Sequence, residues 1–119
     1  MDKAEYQSRL EELNSLVKKE DYEGALAVVE AVDWQRVKSL RTLGMVADVY
    51  EANKRYPEAK KILLMAYDRS SIGKGILYRL VEVSVKMKDF DEAIDFYNEF
   101  EAVARHDNSR YLLKYKILR

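Results

Sequence analysis

The segment Lys88–Phe100, KDFDEAIDFYNEF, supports two readings. Asp89, Asp91, Glu92 and Asp95 have the density of an acid–base site, while an apolar helical pattern runs through the same residues. Two other stretches decide between them. DYEGAL begins at Asp21 and RYPEAK at Arg55, and both align with DFDEAI from Asp89. Tyr22, Tyr56 and Phe90 coincide, as do Ala25, Ala59 and Ala93, each step being 34 residues. The position of Asp91 is Glu23 in one copy and Pro57 in the other. A helix start accepts both, because acids complement its exposed N–H groups and proline has no N–H to lose there. A catalytic carboxylate is not expected to alternate with proline. The aromatic and the alanine therefore carry the pattern, and a fixed period of this length marks a helical repeat array.

The rest of the chain agrees. One proline and four glycines in 119 residues leave little punctuation for a sheet. Leu10, Leu13, Leu16 and Val17 form one apolar stripe, Leu43, Val46, Ala47 and Tyr50 a second, and Leu77, Leu80, Val81 and Ser84 a third. Turns fall after about Lys19, at Asn53–Tyr56 and around Lys88. Asp89 is a candidate N-cap, and Pro57 suits a first helical turn. Asp33 reads as the cap of a long helix from about Trp34 to Ala52. These signals predict seven helices joined by short links, and short links make neighbours antiparallel. Each pair has more apolar surface than it can bury alone, so stacked pairs share one core. Alanine at the crossing lets two backbones approach, and the aromatic before it is expected to plug the turn.

On these residues the chain resembles the tetratricopeptide repeat, a 34-residue helix–turn–helix unit. The stretches LGMVADVYEANKRYPEAKKILLMA and LYRLVEVSVKMKDFDEAIDFYNEF carry the resemblance best. Leu43, Val46, Ala47, Tyr50, Tyr56, Ala59, Leu63 and Ala66 match the signature sites in one, and Leu77, Leu80, Val81, Phe90, Ala93, Tyr97 and Phe100 in the other. The first unit is looser, with Arg9 and Glu12 where apolar residues are usual. Val37, Ser71 and Arg105 stand where the family has proline, and AVDW suggests a shortened second helix in unit one. The resemblance implies an all-α superhelix of antiparallel pairs in a single domain over residues 1–119. Its repeats span about 5–38, 39–72 and 73–106, with a terminal helix at about 107–119.

Composition narrows the function. Twenty-one basic residues balance 21 acidic ones, which argues against nucleic-acid binding. There is no cysteine for disulfides, thiol chemistry or metal ligation. The single histidine, His106, has no partner for a metal site or a nucleophile. SSIGKG lacks the spacing of a phosphate-binding loop. No apolar run is long enough to span a membrane. Neither catalysis nor a cofactor or metal is expected, and a cytoplasmic location is the default.

The resemblance further implies a concave groove lined by the first helix of each pair, with a protein or peptide partner. The matching positions include Leu10, Asn14 and Val17, then Arg41, Met45 and Asp48, then Tyr78, Arg79, Glu82 and Val85. One subclass grips acidic chaperone tails with two lysines, two asparagines and an arginine. Asn14 and Arg79 match that set, but Leu10, Met45 and Gly75 replace its other members, which argues against such a ligand. The terminal segment RYLLKYKILR reads as the first helix of a fourth unit. It reads either as a solvating cap with Lys114, Lys116 and Arg119 outward, or, through Leu112, Leu113 and Ile117, as an end contact in a homodimer or a continuation into a longer protein. A regulatory peptide-sensing module and an assembly element are the alternatives to a binding scaffold.

Overall fold

The structure is a computed structural model that describes residues 2–37, 39–70 and 73–103. The described residues form six α-helices and one 3-10 turn. They are α1 (Lys3–Lys18), α2 (Tyr22–Glu30), the 3-10 turn Trp34–Arg36, α3 (Leu40–Ala52), α4 (Tyr56–Arg69), α5 (Lys74–Lys86) and α6 (Phe90–Val103). Each helix packs chiefly on its neighbours in sequence, giving stacked antiparallel pairs α1–α2, α3–α4 and α5–α6. The fold is all-α, as the periodicity predicts. The expected seventh helix, with Leu112, Leu113 and Ile117, lies outside the described residues.

The core follows the repeat positions. Ala25, Ala59 and Ala93 are fully buried, as are Leu43 and Leu77 at one repeat position of the first helices and Leu13, Ala47 and Val81 at another. Burying each such leucine favours folding by about 1.5–3 kcal/mol, and the alanines keep the pairs close. The aromatics meet the expectation only in part, since Tyr22 and Tyr56 are half-buried and pack against the core, whereas Phe90 is 47% exposed. The Lys86 ammonium of the next unit lies 5.7 Å from the Tyr56 ring centroid.

The turns within the pairs are closed by backbone geometry that repeats with the sequence. Glu20, Lys54 and Lys88 all have positive φ, near 60°. In each case the following N–H reaches back five residues to close the helix end: Asp21 to Leu16 at 2.9 Å, Arg55 to Tyr50 at 2.8 Å and Asp89 to Ser84 at 2.9 Å. The positive-φ residue itself bonds Val17, Glu51 or Val85 at 3.0, 3.0 and 2.9 Å. Three identical Schellman motifs therefore set the angle of each pair, built on charged residues rather than glycine. The next helix is capped at once by Asp21 on the Gly24 N–H (3.0 Å) and by Asp89 on the Glu92 N–H (3.3 Å).

The first unit departs from the others after Glu30. The second helix stops five residues short of the register that α4 and α6 keep. The long helix expected from Trp34 to Ala52 is instead the 3-10 turn and α3, because Val37 and Ser39 are extended. Asp33 caps only the short turn, through the Gln35 N–H at 3.0 Å. Trp34 is buried in place of the missing helical turn. Its indole N–H donates to the Val29 carbonyl at 2.8 Å, and Tyr6 meets it edge-on at 6.3 Å. Arg69, from the next unit, holds this link by donating to the carbonyls of Gln35 and Val37. Further ties between units are Arg55 with Glu30 (3.1 Å), Lys60 with Glu92, and the Asn53 amide with the Tyr22 carbonyl (2.9 Å).

Candidate binding groove

The first helices α1, α3 and α5 carry all ten described groove candidates. Four of them meet. Asn14 and Val17 from α1 face Arg41 and Met45 from α3, and Lys18 and Thr42 complete a groove of about 620 Å³. That volume is in the range of a site that can hold a side chain or short segment. Val17 and Met45 are half-buried against the core and form its apolar part. Asn14 is oriented by its own helix, its amide donating to the Leu10 carbonyl at 3.0 Å. Lys18 and Arg41 are exposed at the border.

Two further candidates meet each other instead of facing an opening. The Arg79 guanidinium spans from α5 to α3, reaching Asp48 at 2.6 Å, Glu51 at 2.8 Å and the Gly44 carbonyl at 3.1 Å. A Cβ added at Gly44 would lie 3.5 Å from the guanidinium nitrogen, an ordinary contact, so the clasp does not depend on glycine there. Burial pushes the Asp48 carboxyl above its ordinary value, and Glu51 adds to this, against the opposing pull of Arg79. The arginine that matched an acidic-tail clamp is thus already occupied by two carboxylates of its own chain. Nothing in the spacing pointed to this, because the contact joins helices 28 to 35 residues apart.

The remaining candidates are dispersed. Leu10 and Glu82 are half-buried on α1 and α5. Val85 packs partly into the core. Tyr78 turns its ring edge-on to Phe100 at 5.8 Å, so part of it serves the packing of α5 on α6. The carboxylates of the opening segment have structural roles: Asp89 caps α6, Glu92 pairs with Lys60, and Asp91 and Asp95 are exposed. Among the described residues no cluster of three His, Cys, Asp or Glu side chains is placed to hold a metal, and no helix is long and apolar enough to cross a membrane.

No family model matches the chain, and no curated protein sequence matches it. Solved structures do match in shape. One is the Yersinia enterocolitica type III secretion chaperone SycD in complex with a peptide of the translocator YopD. It has a TM-score of 0.71 at 11% identity and covers 98% of this chain and 89% of that one. Another is PcrH in complex with the chaperone binding region of PopD, with a TM-score of 0.68 at 10% identity, covering 98% and 88%. At such identities the likeness is one of fold, and that fold is an array of stacked helix pairs of the tetratricopeptide kind.

Proposed function

We propose that this chain is a member of the tetratricopeptide repeat family whose three units form one domain, and that it acts as a non-catalytic scaffold. It would hold a segment of a partner protein against the concave face of α1, α3 and α5. The observation that carries the reading is the groove between α1 and α3. Residues spaced for a concave face, Asn14, Val17, Arg41 and Met45, line a single opening there. Both structural neighbours were solved with a peptide or binding region of another protein, which supports a peptide ligand. Recognition would need only a rigid face with fixed side chains, since stacked pairs hold the groove without a ligand.

The test is affinity capture with the wild-type chain and with the Met45→Glu/Tyr78→Ala variant, read by mass spectrometry. The variant is expected to lose a partner that the wild type retains. Equal capture of every partner by both forms contradicts the groove reading.

A further inference from the structure

The two seams of the concave face are one site built twice from different side chains. Arg79, Asp48 and Glu51 lie 34 residues after Met45, Asn14 and Val17 respectively. Between α3 and α5 those positions form an ionic clasp, with Arg79 on both carboxylates, and the seam is filled from within. Between α1 and α3 the same positions hold a thioether, an amide and a valine, and the seam stays open. Its lining includes two cations, Lys18 and Arg41, and no carboxylate. Neither cation makes an ion pair among the described residues. The nearest carboxylates along α3, Asp48 and Glu51, are held by Arg79.

We infer that the α1–α3 seam is the specificity pocket of the groove, taking an apolar side chain flanked by carboxylates in the partner peptide; this rests on the groove reading above. The bound side chain supplies from outside what the stem of Arg79 supplies in the neighbouring seam. Met45 is suited to the role, because an unbranched thioether adapts to apolar side chains of different shape. Lys18 and Arg41, one on each wall, select for acidic flanks and repel basic ones, which gives the site discrimination as well as attraction. Exposed cations act through a screened field, so binding weakens as salt rises.

The test pans a library of random 12-residue peptides on phage against the wild-type chain and against Lys18→Glu/Arg41→Glu. Both residues are exposed, and circular dichroism checks that the variant keeps its helices. The wild type is expected to enrich peptides with an apolar residue between acids. The charge-reversed form should enrich the same apolar position between bases. A peptide selected by the wild type should bind at least tenfold more weakly to Met45→Glu. Selected peptides whose flanking charge is indifferent and survives the reversal, with binding lost instead on Tyr78→Ala, overturn the pocket assignment while leaving the groove reading intact. No enrichment against the wild-type chain overturns both.

Discussion

Glu20, Lys54 and Lys88 offer a stability test in which the sign of the effect changes between adjacent residues. All three hold a left-handed backbone, with φ of 59°, 59° and 62°. An L side chain there costs about 1–2 kcal/mol from its Cβ, while glycine costs roughly 0.5–1 kcal/mol through the freedom it regains on unfolding. Glycine at each position is therefore expected to stabilise by about 0.5–1 kcal/mol. One residue earlier the balance reverses. Lys19 closes α1 with φ of −85° and ψ of 0°, a right-handed geometry that any side chain accepts. Lys19→Gly gains nothing from relieved strain and should destabilise by roughly 0.5–1 kcal/mol. The assay is urea unfolding followed by helical circular dichroism. With a slope of about 1–3 kcal/mol per molar, each favourable glycine should raise the midpoint by a few tenths molar at constant slope. The triple variant should come close to additive, because the sites sit in separate turns. If Glu20→Gly, Lys54→Gly and Lys88→Gly lower the midpoint as Lys19→Gly does, the left-handed turns are not the strained points described.

Other substitutions probe the core and the clasp. The hydroxyl of Ser84 is fully buried and has no hydrogen-bond partner among the described residues, so Ser84→Ala should leave stability unchanged or raise it by up to about 1 kcal/mol, measured as a melting shift. Ala59→Leu and Ala93→Leu force methylenes into closed crossings and should each cost roughly 1–3 kcal/mol; unchanged melting curves for both refute that register. Arg79→Met leaves Asp48 and Glu51 without their cation and should cost about 1–2 kcal/mol, whereas Asp48→Asn should stay within about 1 kcal/mol of wild type. The folded Asp48 carboxyl holds its proton to higher pH than the unfolded one. Its contribution to stability is therefore largest in acid and is lost as pH rises through the region just above the ordinary aspartate range. An NMR titration of the side-chain carboxyl should place its midpoint above that range, and a midpoint below it shows that the Arg79 charge outweighs desolvation at this carboxyl.

The fold was legible because spacing and residue type agreed. Ala25, Ala59 and Ala93 with their preceding aromatics place three pairs in register, and the helix ends at Lys18, Ala52 and Lys86 keep the same interval. The break after Glu30 was only half legible. AVDW signals a shortened α2, but what replaces the missing turn depends on Trp34 reaching Val29 and Arg69 reaching back from another unit. Such tertiary bonds have no local signature. The Schellman turns were hidden for a different reason. Glycine is the usual sign of a left-handed residue, and here Glu and Lys occupy it. For the groove, helical spacing put the candidates on the first helix of each pair. It could not separate Met45, beside an open seam, from Arg79, which closes the next one, because that depends on which side chains stand opposite on the adjoining helix.

The central claim is that a partner segment lies against α1 and α3, and backbone NMR of the labelled chain tests it most directly. A peptide selected on the wild-type chain is titrated in, and amide shifts are mapped by residue. The account predicts that the largest changes fall on Asn14–Lys18 and Arg41–Met45, with smaller ones along α5. Saturable changes confined to α4 and α6, with α1 and α3 unmoved, contradict it.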